Sequence, residues 1–75
     1  MEKKLSEMKF GEKGVVKIIP SDLRSHVTGM GIRLNKPIEI SSKQPMKGPV
    51  VVNVGNSSIS LGRKLAEKII VEVNL

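Results

Sequence analysis

Apolar positions fall along this chain in short bursts, and most of the bursts alternate. Pro37-Ile38-Glu39-Ile40-Ser41 places Ile38 and Ile40 on one side and Glu39 on the other, the period-two signature of a half-buried strand. Pro37 has no N–H, so it suits the first residue of that strand. Val50 to Val54 repeats the pattern with Val50, Val52 and Val54 on one face. Gly55-Asn56 follows as a hairpin signal, because both residue types tolerate positive φ. Ser58 to Leu61 returns as the partner strand, with Ile59 and Leu61 inward. Val15 to Ile19 and Ile69 to Val73 are rich in β-branched residues and supply two further strands, Glu72 pointing outward from the second.

Between these bursts lie turns and two helical pieces. Leu5 to Phe10 leads into the turn Gly11-Glu12-Lys13-Gly14, whose two glycines offer positive φ. Pro20-Ser21-Asp22 opens a short helix that Ser21 or Asp22 can cap and that Gly29 can close in the left-handed conformation. Leu23 and Val27 form its narrow apolar stripe, continued by Met30 and Ile32. Ser41 to Pro49, with Pro45, Gly48 and Pro49 as breakers, reads as the one true loop. Gly62 to Lys68 reads as one or two helical turns. The prediction is a mostly β fold: one domain over residues 1–75, a small five-stranded SH3-like barrel with one or two short helices. Curling the sheet hides the valine and isoleucine rows and removes most of the edge problem.

Composition narrows the possible chemistry. A chain of 75 residues buries only roughly 60% of its unfolded surface. It has no cysteine and one histidine, so disulfides and closed Cys/His zinc sites are excluded. No apolar run approaches the ~20 residues that span a bilayer, and Met1-Glu2-Lys3-Lys4-Leu5 lacks the apolar core of a signal peptide; a cytoplasmic location is expected. The net charge of +6 comes from 13 Lys and Arg residues scattered from Lys3 to Lys68. With a single aromatic, Phe10, there is no base-stacking platform. Nucleic-acid binding is therefore disfavoured against a basic solvated surface or attraction to an acidic protein face. Proline-rich peptide grooves are lined with aromatics, so that reading is disfavoured too.

Catalytic constellations are not evident. The carboxylates Glu2, Glu7, Glu12, Asp22, Glu39, Glu67 and Glu72 all fall in turns, at caps or on outward faces, the pattern of solvated charges. Ser25 and His26 are adjacent, and neighbours on a helix point about 100° apart. Asp22 and His26 stand four apart, a spacing that suits a weak two-ligand site for a transition metal. Gly29-Met30-Gly31 ends a helix and lacks a P-loop lysine. Met46, in Pro45-Met46-Lys47-Gly48-Pro49, is an adaptable apolar residue where a loop tip is normally polar, which suits partner contact. The pattern predicts a chain that works by contact, not by catalysis, and that needs no cofactor.

Taken together, Leu5-Ser6-Glu7-Met8 before a glycine-rich turn, Met30-Gly31-Ile32 after a short helix, Ile59-Ser60-Leu61, Ala66 and Ile69-Ile70-Val71-Glu72 resemble the FeoA family. The resemblance runs from about Leu5 to Val73. It implies an SH3-like barrel acting as a cytosolic accessory of bacterial ferrous iron uptake. The implied partner is the membrane permease FeoB, with its cytosolic GTP-binding domain. Similar domains sit at the end of iron-dependent repressors, which implies a transition-metal-binding regulatory domain as the alternative; a basic nucleic-acid-binding barrel is the other. Asn35 stands where the family usually has glycine, and asparagine tolerates the left-handed conformation. Ser25-His26-Val27-Thr28-Gly29 stands where the family helix is more basic and leucine-rich, and Gly62 where a charge is frequent. The residues expected at a partner surface are Arg24, His26, Met30, Arg33 and Met46; those expected at a weak metal site are Asp22 and His26.

Overall fold

A computed structural model describes residues 1–43 and 48–73. Six antiparallel strands form one sheet: β1 (Glu2–Lys4), β2 (Lys13–Ile18), β3 (Pro37–Lys43), β4 (Val50–Val54), β5 (Ser57–Leu61) and β6 (Ile70–Val73). Their spatial order is β1-β6-β2-β3-β4-β5. Two short helices, α1 (Arg24–Thr28) and α2 (Arg63–Ala66), fill the β2–β3 and β5–β6 connections. Leu5–Glu7 and Ser21–Leu23 are single 3₁₀ turns.

The alternating segments bury the side chains the pattern predicts. Ile38 and Ile40 of β3, Val50, Val52 and Val54 of β4, Leu61 of β5 and Val71 and Val73 of β6 join one core with Leu5, Met8, Val16, Val27, Ile32 and Ile69. Register slips interrupt β2 against β6 between Val16 and Ile18, and β3 against β4 between Ile40 and Ser42. Bulges of this kind bend the bulged strand and increase its twist. The molecule is accordingly almost as thick as it is long, 28 × 25 × 23 Å. The architecture is consistent with an SH3-like fold.

Several expectations are corrected. Among the described residues the sheet has six strands, not five, and β1 and β5 are its unjoined edges, so it is open instead of a closed barrel. The added strand, Glu2-Lys3-Lys4, has no apolar residue to announce it; its pairing with β6, Lys3 opposite Val71, makes it a strand. β3 continues through Ser41 to Lys43, so the loop is shorter than Ser41 to Pro49. Gly14 supplies no turn conformation. It lies inside β2 opposite Val73, where an added Cβ would sit 2.5 Å from Val71 Cγ1 and 2.6 Å from the Glu72 carbonyl oxygen. β2 and β6 approach so closely there that only glycine fits. In the β4–β5 hairpin only Gly55 has positive φ, 59°, the arrangement of a type II′ turn.

The end of α1 is also built differently. Gly29 is right-handed, and Gly31 adopts φ 93°. The Ile32 N–H donates to the Val27 carbonyl at 3.0 Å and the Gly31 N–H to the Thr28 carbonyl at 2.9 Å, which together make a Schellman motif with Gly31 at its left-handed position. Val27 and Ile32, the pair this motif brings together, are both fully buried. At the other end no side chain caps the helix. The Leu23 N–H bonds the Pro20 carbonyl at 2.9 Å, and Ser21 and Asp22 are exposed. Asn35 completes the following turn at φ 68°, its N–H donating to the Val16 carbonyl at 2.7 Å.

Candidate functional site

The Schellman motif folds the chain back directly after α1 and so keeps the stretch from Arg24 to Arg33 compact. Val27 and Ile32 anchor it in the core. Leu23 and Met30 are half-buried and pack against that core, leaving an apolar margin. Arg24, His26 and Arg33 are exposed in the same stretch. Arg24 is partly committed, since its Nε donates to the Ile19 carbonyl at 3.2 Å. The side chains of His26 and Arg33 take part in no hydrogen bond or ion pair among the described residues. This end of the molecule therefore presents two guanidinium groups, an imidazole and a methionine beside a backbone that closes its own hydrogen bonds. Met46, the remaining candidate, lies outside the described residues.

Asp22 and His26 are both exposed, but they do not share an uninterrupted α-helix. Asp22 lies in the 3₁₀ turn and His26 in α1, and the i, i+4 facing of side chains belongs to continuous α-helix. Among the described residues, no three His, Asp or Glu side chains gather as a metal cluster. Ser25 and His26 are exposed and not hydrogen-bonded to one another.

One carboxylate has a role that the linear pattern did not disclose. Glu12 accepts the Lys9 N–H at 2.9 Å through Oε1 and the Lys3 ammonium at 3.2 and 3.0 Å through both oxygens. The backbone bond from Lys9, then the bond from Lys3, holds its carboxyl below the usual glutamate range. The Lys3 and Glu12 side chains are only 19% and 22% exposed, so this pair belongs to the structure instead of the solvated surface. Nine residues separate the two in the chain; only the pairing of β1 and β2 with β6 brings them together. Elsewhere Glu72 pairs with the Met1 amino group, and Arg63 with Glu67 at 3.6 Å.

Exposed apolar residues are the other feature the pattern left open. Phe10 is 75% exposed, and Ile18 and Leu34 are also exposed. A shallow cleft of about 250 Å³ is lined by Lys13, Gly14, Pro37, Ile38, Glu39, Asn53 and Gly55, which is below the usual size of a small-molecule pocket, about 300 Å³ and upward. Among the described residues, no helix is long and apolar enough to cross a membrane.

Comparison with known proteins agrees with this architecture. A "Putative Fe(2+) transport protein A" of Methanocaldococcus jannaschii is 34% identical over 70 residues, covering 91% of this chain and 83% of that protein. The crystal structure of an iron uptake regulatory protein (FeoA) superimposes with a TM-score of 0.86 at 33% identity, each chain being 96% covered. A manganese-dependent transcriptional repressor superimposes with a TM-score of 0.88 over 97% of this chain and 42% of its own; at 20% identity this likeness establishes the fold alone. The FeoA domain model matches residues 3–73. On this match, which takes in every strand but the first residue of β1, the chain belongs to the FeoA family.

Proposed function

We propose that this chain is a non-catalytic accessory of ferrous iron transport, acting in the cytoplasm by docking its α1 surface on the cytosolic part of the iron permease FeoB. The observation that carries the reading is the stretch from Leu23 to Arg33: exposed Arg24, His26 and Arg33 alternate along it with half-buried Leu23 and Met30, across a turn fixed by a Schellman motif. Apolar residues interspersed with cations suit an acidic protein face, where the apolar contact supplies affinity and the charges steer the encounter. The relative in Methanocaldococcus jannaschii is named for Fe2+ transport, which supports the same pathway. Titration of the labelled chain with the permease's cytosolic domain should shift the amide signals of residues 22–34. A titration that leaves every amide unmoved would refute the docking.

A second reading is weak transition-metal binding at Asp22 and His26, in the manner of a regulatory domain. Its support is that the two side chains are exposed four residues apart, one in the 3₁₀ turn and one in α1, and that neither is hydrogen-bonded among the described residues. Manganese titration should then broaden the signals of these two residues before any others. Broadening that begins elsewhere removes this reading.

A further inference from the structure

The two edges of the sheet are guarded very differently. β1 is three residues long and reads Glu2-Lys3-Lys4; a like strand laid against it about Lys3 would set lysine against lysine, which is destabilising. β5 is five residues long, Ser57-Ser58-Ile59-Ser60-Leu61, with no charge, no proline and no register slip against β4. Charge, proline and bulges are the devices that normally protect an edge from pairing. β5 has none of them.

Its hydrogen-bonding phase follows from the hairpin. The two-residue loop makes Val54 and Ser57 a hydrogen-bonded pair. Alternation then turns the backbone groups of Ser57, Ile59 and Leu61 toward β4 and those of Ser58 and Ser60 outward. Ser58 and Ser60 are exposed, and their backbone groups have no partner in turns or loops among the described residues. An antiparallel strand that satisfies both must place hydrogen-bonding residues opposite them. A second copy of β5 does this when Ser58 faces Ser60 of the second copy, which puts a two-fold axis at Ile59. The outward groups then form four N–H···O=C bonds. The two Ile59 residues fall in the close, non-hydrogen-bonded position between them. Ile59 is half-buried and packs on the core, so the pair continues the core across the axis.

Charge selects this edge, within the molecule, for contact between copies. Each copy carries +6, so most self-contacts would bring like charges together, whereas the five residues of β5 bring none. We propose that the β5 edge is a self-association surface, through which two copies join by antiparallel β5–β5 pairing centred on Ile59.

The test uses the whole chain, with sedimentation velocity and amide exchange by NMR from about 10 μM to about 1 mM protein. For a dimer with Kd on the order of 100 μM, the Ser58 and Ser60 amides should exchange about fourfold more slowly at the top of the series than at the bottom. Added salt should strengthen the dimer, because it screens two basic copies from each other. Ser60→Pro removes an outward donor and leaves the β4 ladder intact; it should return the protein to monomer and, at about 10 μM, where the parent is itself mostly monomer, leave the unfolding midpoint unchanged. The exchange readout on the unaltered chain stands whether or not that variant folds. A monodisperse monomer whose Ser58 and Ser60 exchange ignores concentration overturns the proposal. So does a dimer that a folded Ser60→Pro variant retains. Protection appearing only when the permease's cytosolic domain is added overturns it too, by assigning the edge to a foreign strand.

Discussion

Where the chain runs from β1 into β2, Lys3, Lys9 and Glu12 direct their polar groups at one another, and Gly14 lets β2 press against β6. Where it runs from β2 through α1 into β3, the backbone closes its own hydrogen bonds in a Schellman motif, and His26 and Arg33 project with no partner among the described residues. Both corners are rich in charge. In the first the charge is part of the fold, and in the second it is left over. That difference, and not the total of +6, separates polar residues available to a partner from those already engaged.

The largest expected effect falls in the first corner. Gly14→Ala places a methyl group 2.6 Å from the Glu72 carbonyl oxygen, a backbone atom that cannot turn aside, and 2.5 Å from Val71 Cγ1. The strands must separate, at a cost of about 3 kcal/mol, the upper part of the overpacking range. Urea denaturation of the variant measures this directly. A loss under about 1 kcal/mol would mean that β2 and β6 can part cheaply, and the contrast between a tight corner and a self-contained one would weaken.

Gly31→Ala is the matching change in the second corner and should cost less. Its φ is 93°, but the nearest atom to an added Cβ is Ile59 Cδ1 at 3.9 Å, ordinary contact distance. Only the left-handed backbone is penalised, by about 1–2 kcal/mol. The same denaturation series gives the ratio of the two substitutions. Equal losses would show that crowding at Gly14 costs no more than the left-handed backbone at Gly31.

The two glycines also show what the chain discloses and what it hides. The β3 strand and the β4–β5 hairpin are legible because one face of each is buried, which imposes period two on the residues themselves. Gly31 was harder to single out: Gly29 and Gly31 both follow α1, and the choice between them depends on which lets Ile32 bury against Val27. β1 is legible only from its partner, since Glu2-Lys3-Lys4 carries no apolar signal. The α1 surface is contiguous in the chain, so its members can be named from the sequence. The Lys3–Glu12 pair and the outward groups of β5 depend on which strands are neighbours, and no local pattern encodes that.

Glu12 allows the first corner to be probed by pH. Its folded pKa lies below the unfolded value, so its contribution is fully present above the unfolded value, about 4.3 for glutamate, and is lost as pH falls through the folded value. Stability followed from about pH 7 to about pH 3 should decline on that acid limb. Glu12→Gln should be less stable than the parent at neutral pH and show a shallower acid limb, because the group that binds the proton on unfolding is gone. Parallel limbs in the two proteins would place the acid sensitivity on other carboxylates.

The smallest expected change in stability belongs to His26→Ala and Arg33→Ala. Neither side chain makes a hydrogen bond or ion pair among the described residues, and exposed substitutions of this kind stay within about 0.5 kcal/mol. Arg24→Ala provides an internal standard. It removes the bond from Nε to the Ile19 carbonyl and should cost about 1 kcal/mol, the usual net value of one hydrogen bond. Thermal unfolding of the three variants therefore ranks them by engagement: Arg24 first, His26 and Arg33 indistinguishable from the parent. If His26→Ala or Arg33→Ala matches or exceeds Arg24→Ala, those residues are engaged in the fold, and the α1 corner is no longer the place where charge is left over. If they are silent in stability, any loss of binding to the permease domain in the same variants comes from the contact itself, since the surface that carries them is intact.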